Sequence, residues 1–336
     1  MDKPLCSPQR SASEPQALNL YSMHLLEYRL RLSREHLRLV AKRAFSYYSP
    51  FTRFKDPRPF AKKKRTIKAR VIDRPTGDLK AIQARISKAL LGELNMPDYI
   101  VGGVKGRSVL DNVQFHLNET IVVTFDIKNW FPSITSEHVY RVWRELLNCS
   151  PRIATLLTNL TTFENHLPQG APTSTALANL VLFSIDQPIR VAAGRLGVNY
   201  SAFVDDLSLS GRDARALIPI VVGTFKNAGF QISRAKLHVM GATKIKTING
   251  VVLGGGPRAS HAHRSRLRSG VNKLRLGLVT LEQRVKYTES LVGRIIHLKS
   301  IDPRYGGQLH NATIEALGKV THPKRQGRSR NSRTSS

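Results

Sequence analysis

Residues Tyr200 to Gly211 read Tyr-Ser-Ala-Phe-Val-Asp-Asp-Leu-Ser-Leu-Ser-Gly: two adjacent acids set between stretches of apolar alternation and closed by a turn glycine. Alternation with period two marks a half-buried strand, and a polar break inside it marks a hairpin bend. Any fold that accepts this stretch contains an antiparallel pair with carboxylates at its tip. If Asp205 and Asp206 face inward they need a counter-charge, because an unpaired buried carboxylate is very costly, and a divalent cation is one way to supply it. Taken alone, such a pair is more often a solvated turn than a metal site, so the residues upstream decide.

Upstream, Ile121-Val122-Val123-Thr124-Phe125-Asp126-Ile127 is a β-branched run of the kind that forms a buried strand, and it ends in an acid. Lys128 to Ile134 then turns the chain and sets Trp130 and Phe131 beside that acid. If the Asp126 strand lies next to the hairpin, three carboxylates converge. Hard oxygen donors of that kind suit Mg²⁺, and two such ions activate a hydroxyl nucleophile while stabilising a leaving pyrophosphate.

The charge balance points the same way. Lys plus Arg number 53 against 23 Asp plus Glu, a net charge of +30 spread along the chain. A polyanion partner is implied, and nucleic acid is favoured over membrane because no long apolar segment occurs. The two cysteines, Cys6 and Cys149, make neither a metal-ligand spacing nor a disulfide framework. The polar N-terminus lacks the apolar core of a secretion signal, so a cytoplasmic protein is expected.

The remaining segments sort around this centre. Leu18 to Arg43 reads as amphipathic helix with a basic outer face, and residues 1–60 as a helical, basic extension. Residues 61–74 form a basic strip with partial strand character, whose cations Lys68 and Arg70 suit phosphate. Gly102 to Ser108 is a glycine-rich loop carrying Lys105 and Arg107, and Asn112 and His116 follow on a short helix. Without the Gly-Lys-Ser ending of an ATPase phosphate loop, it reads as backbone that approaches a sugar-phosphate chain. Leu167-Pro168-Gln169-Gly170-Ala171-Pro172-Thr173 shapes a turn into a capped helix. Gly254-Gly255-Gly256 reads as a joint, followed by a helical stripe of Leu267, Val271, Leu274, Leu278 and Leu281 flanked by Arg264, Arg268 and Arg275. A second helix carries Tyr287, Leu291, Ile295 and Leu298, and residues 316–336 form a basic tail expected to be disordered.

These motifs, in this order, resemble the reverse transcriptases, and within them the bacterial retron type. Asp126 to Ile134 resembles the first metal-binding motif, Leu167 to Thr173 the nucleotide-positioning motif, and Phe203-Val204-Asp205-Asp206 the usual Tyr-x-Asp-Asp, with Phe203 in place of Tyr. Asn112-Val113-Gln114-Phe115-His116 is similar to the retron Asn-Ala-x-x-His signature, and Ile248-Asn249-Gly250 stands where Val-Thr-Gly is common. Gly293 to Ile296 and Asp302 to Tyr305 resemble the end of the retron thumb.

The resemblance implies an α+β right-hand polymerase: fingers and antiparallel-sheet palm over residues 61–253 and a helical thumb over 257–315. It implies Asp126, Asp205 and Asp206 as catalytic metal ligands for two Mg²⁺, with the Ile127 backbone as an additional one, and Lys236 acting on the pyrophosphate. It places Lys68, Arg70, Ile127, Phe131 and Gln169 around a dNTP, with the Phe131 ring excluding a ribose 2′-hydroxyl. Lys105, Arg107, Asn112, His116, Arg264, Arg268 and Arg275 make up the expected nucleic-acid-binding set. The implied partners are a cognate non-coding RNA, its branched RNA–DNA product primed from an RNA 2′-hydroxyl, and a separate effector protein of an anti-phage retron system. The alternatives are another bacterial defence or group II intron-like reverse transcriptase, or a catalytically silent RNA-binding scaffold.

Overall fold

A computed structural model describes residues 14–54 and 69–321. The chain divides into two compact units, Met1–Lys244 and Ile245–Ser336. Both mix helices with antiparallel sheet; the sequence predicts that mixture for the first and only helices beyond Gly256.

The first unit opens with α1 (Met23–Leu30) and α2 (Arg34–Lys42), each started by a serine whose hydroxyl accepts a backbone N–H, Ser22 from Leu25 and Ser33 from His36. Leu20, Leu26, Leu30, Leu37 and Val40 are buried in the same core as the sheet that follows. The segment is therefore part of the folded body and not an extension from it. Strands β1 (Tyr48–Phe54) and β2 (Ala69–Pro75) pair antiparallel, with Arg53 opposite Arg70 and Pro50 opposite Asp73. Next come α3 (Gly77–Ala89), α4 (Val109–Gln114) and β3 (Val122–Asp126), then α5 (Trp130–Ser133) and α6 (Ser136–Arg141). The apolar residues from Val139 to Leu160 keep a helical spacing, yet the helix is broken: a π turn over Val142–Leu146 runs into a bend with Asn148 at φ 54°, and α7 (Pro151–Thr161) restarts with proline in its first turn.

Helices α8 (Ser174–Ile185) and α9 (Gln187–Arg195) lead to β4 (Asn199–Phe203) and β5 (Asp206–Ser210), followed by α10 (Ile218–Asn227) and β6 (His238–Met240). The central sheet has the order β4-β5-β3-β6, all antiparallel. Beneath it Asp186, fully buried, takes Arg190 Nε at 2.8 Å and the hydroxyls of Tyr99 at 3.1 Å and Tyr200 at 3.2 Å. Burial still pushes its carboxyl up to about 6. Cys149 is a buried free thiol.

In the second unit, β7 (Lys246–Ile248), β8 (Val251–Leu253) and β9 (Arg258–Ala259) form one small antiparallel sheet. Val251 pairs with Ala259 and Val252 with Arg258, so Gly254 to Gly256 is the turn of a hairpin and not a hinge between bodies. The division falls before β7. Helices α11 (His261–Arg275), α12 (Leu281–Ile301) and α13 (Pro303–Thr321) then bury Leu267, Val271, Leu274, Leu291, Ile295 and Leu298 together. The predicted stripe is right as far as Leu274. Gly277 at φ 67° ends that helix, and Leu278 is 68% exposed. The tail expected from residue 316 starts later than that, since α13 runs on to Thr321 and Ala316 is buried; residues 322–336 lie outside the described residues.

Candidate active site

Asp126 ends β3 with only 7% of its surface exposed, directly opposite Asp206 in the β3–β5 register. Phe203 pairs with Asp206 across β4 and β5, which leaves Val204 and Asp205 as a two-residue turn. Val204 sits at φ 60°, a left-handed conformation that costs a β-branched residue roughly 1–3 kcal/mol. The Asp205 carbonyl accepts the Ile127 amide at 2.9 Å, and the Asp126 carbonyl accepts the Ser233 amide at 2.8 Å. The turn is thereby locked to the strand end on one side and to the Lys236 turn on the other.

Lys236, placed by a 3-10 turn over Arg234–Lys236, donates from Nζ to Asp126 Oδ1. Burial and then the neighbouring Asp126 charge raise the Asp205 carboxyl above its ordinary range, against the pull of its own backbone N–H, Lys236 and Arg70. Two carboxylates close enough to repel, with cations answering them, form a hard-oxygen donor set of the kind a divalent ion suits. Asp206 stands beside them by register. Among the described residues no three acidic, histidine or cysteine side chains are gathered into a closed metal cage. Asp126 and Asp205 are oxygen donors of a type that fits a divalent cation.

The other expected residues separate into three groups. Arg70, exposed on β2, acts on Asp205 and so reaches the site, whereas Lys68 lies outside the described residues. Phe131 follows Trp130 on α5; Trp130 is buried edge-on against Phe230 at 4.8 Å, and Phe131 is half-buried and packs on the same core. Gln169 is half-buried, and its carbonyl accepts the Asp73 amide at 3.0 Å, which ties its loop to the strand of Arg70.

The nucleic-acid set needs correction. Asn112 and His116 are buried at 1% and 0% exposure and present nothing to a ligand. His116 lies between two strands, its ring nitrogens 2.7 Å from Ser210 Oγ and 2.7 Å from Ser201 Oγ. Arg107 spends its guanidinium on the carbonyls of Pro97, Ile100 at 2.6 Å and Met96 at 2.6 Å. Lys105 is exposed. In the second unit, Arg268 donates to Tyr305 Oη at 3.0 and 3.1 Å, Arg264 lies over the same ring, and Arg275 meets Glu315 at 3.6 Å.

The glycine loop approaches protein, not phosphate. A Cβ on Gly102 would stand 2.5 Å from the Val204 amide nitrogen and 2.6 Å from the Phe203 carbonyl carbon. Val101 and Gly102 donate to the Ala202 carbonyl, and Asn179 Nδ2 holds the Gly102 carbonyl at 2.8 Å. The loop is a backbone buttress under the acidic turn.

Sequence reasoning missed Asn179 and Asp73. Asp73, 5% exposed, takes His166 Nε2 at 3.1 Å and the Gln169 amide at 3.4 Å. Each carried a faint signal, a lone amide on an apolar helix and a lone acid in a basic strip.

The model of the family described as reverse transcriptase (RNA-dependent DNA polymerase) matches residues 61–253. The chain is 28% identical to the Retron Ec86 reverse transcriptase of Escherichia coli over 69% of this chain and 71% of that protein. It is 30% identical to the Retron Se72 reverse transcriptase of Salmonella heidelberg (strain 579083-10) over 51% of this chain and 47% of that protein. To the Retron Mx65 reverse transcriptase of Myxococcus xanthus it is 29% identical over 80% of this chain and 66% of that protein. The last two matches thus span less than two thirds of the relatives' lengths.

Proposed function

From the premise that the chain belongs to the reverse transcriptase family, the RNA-dependent DNA polymerases, and is of the retron type, we propose that it copies part of a structured non-coding RNA into DNA. Synthesis starts from a 2′-hydroxyl of that RNA and leaves a branched RNA–DNA product. The observation that carries this reading is the meeting of Asp126 and Asp205 where β3 ends beside the β4–β5 turn, with Lys236 and Arg70 acting on them. In hand-like terms β1 and β2 belong to fingers, the four-stranded sheet to the palm, and α11 to α13 to the thumb.

Asp126 and Asp205, with Asp206 and the Ile127 carbonyl at hand, would hold Mg²⁺. When bound, the metal supplies an activated 3′- or 2′-hydroxyl and charge neutralisation at the leaving pyrophosphate. The chain's own groups do the rest. Lys236 turns from Asp126 to the pyrophosphate as a positioned cation, and Arg70 meets the triphosphate at the edge of β2. Gln169 orients the sugar or base. The Phe131 ring occupies the space a ribose 2′-hydroxyl would need, which selects deoxynucleotides.

A primer-extension assay with Mg²⁺, dNTPs and co-purified RNA tests the assignment. Asp205→Asn combined with Asp206→Asn should lower product by at least ~10³-fold, as expected when charge stabilisation of the transition state is removed; equal product from both proteins would sink it. Sequencing of the co-purified nucleic acid should find RNA joined 2′–5′ to DNA. A protein effector in an anti-phage system is the remaining partner, and repeated co-purification of protein and nucleic acid alone would count against it. Among the described residues no helix is long and apolar enough to cross a membrane.

A further inference from the structure

Between α2 and α7, beside the start of α1, lies an open cleft of about 210 Å³ lined by Met23, Arg38, Ala41, Lys42, Arg152, Thr155, Leu156 and Asn159. Arg38, Ala41 and Lys42 share one face of α2, while Arg152, Thr155, Leu156 and Asn159 follow one face of α7 at helical spacing. Its floor is apolar, with Met23 and Leu156 both 8% exposed. Three cations stand at its rim and none of the lining residues is acidic. None of the three forms an ion pair with a described residue, although α2 also carries Glu35.

Cations gathered without a counter-ion around an apolar floor and one free-standing amide match the parts of a nucleotide. The guanidinium groups and the ammonium suit a phosphodiester, the floor suits a base face, and Asn159 suits a base edge. The cleft has room for one base, not for a helix. We infer that it holds a single unpaired nucleotide of the bound RNA, at a site separate from the polymerase centre. RNA is favoured over a free nucleotide because the rim is open and a chain can run across it in both directions.

The inference rests on the reading of the chain as an RNA-holding polymerase, so the test keeps the two apart. Full-length protein is titrated with a labelled 12-nucleotide single-stranded RNA of mixed sequence, with the same RNA annealed to its complement, and with AMP. Primer extension on a generic template–primer is measured alongside. Replacing all three cations (Arg38→Ala, Lys42→Ala, Arg152→Ala) should weaken single-strand binding about tenfold and lower its log–log salt slope by about 2. Asn159→Trp, which fills the cleft and keeps the charge, should weaken single-strand binding several-fold and leave duplex binding unchanged. Primer extension should stay within about twofold in both variants.

Unchanged binding in the triple variant would overturn the site. Equal loss of duplex binding in Asn159→Trp would reduce it to general charge and overturn the nucleotide, as would AMP binding as tightly as the single strand. Extension falling in step with binding would place these residues in the polymerase path and overturn the separation. Wild-type protein without extension would count against the polymerase reading alone.

Discussion

At the residue scale, the acidic turn is held by two opposite devices. Val204 stores strain at φ 60°, and Gly102 supplies the only kind of residue that fits behind it. Val204→Gly removes the Cβ from a left-handed position but also removes a half-buried side chain packed on the core and adds unfolded-state entropy, so stability should stay within about 1 kcal/mol. The same change loosens Asp205, so extension should slow while the melting temperature stays nearly constant; a thermal melt and a single-turnover assay on one preparation check both. Gly102→Ala works the other way. Its methyl group meets backbone that cannot swing aside, and a loss of about 2–3 kcal/mol together with extension is expected, read by urea melt and primer extension. Arg107 and His116 show the limit of residue-level reading: polar identity suggests a ligand, while their partners make them fasteners.

At the element scale, His116 joins the segment after α4 to the sheet through Ser201 on β4 and Ser210 on β5. Burial lowers its pKa from 6.5 to about 3, so the ring stays neutral in the folded protein. Because the folded pKa lies below the unfolded one, the unfolded chain takes up a proton that the native chain refuses. Stability from this group is whole above pH 6.5 and is lost as pH falls from there toward 3. By pH 5 the loss should reach about 2 kcal/mol, and His116→Gln should flatten that slope in urea melts at a series of pH values. The strands themselves were legible, since Val122–Asp126 and the two arms of the hairpin follow the strand pattern closely. The break at Asn148 was not, because a bend between two apolar helices leaves the helical period almost intact.

At the scale of the whole molecule, the net charge of +30 acts as one field. RNA affinity should fall by about 10³-fold or more between 50 and 200 mM salt, measured by anisotropy, and a weak dependence would mean that few phosphates are touched. The core of the first unit runs from Leu20 to Phe230, which is why the N-terminal helices belong to it. The second unit has its own smaller core of Leu267, Val271, Leu274 and their partners. A boundary drawn at glycines missed this division, because Gly254 to Gly256 looks the same in sequence whether it links two bodies or turns one hairpin.

The sequence by itself determined the Asp126 strand, the acidic hairpin, the acids at their ends and the charge that favours a polyanion, because period, β-branching and net charge are local or additive properties. Only the tertiary structure decided which polar residues serve the site. Whether His116 grips a ligand or two serines, and whether Gly102 faces phosphate or Val204, depends on which segments far apart in the chain come to rest against each other. Burial then sets the cost of leaving those groups unpaired.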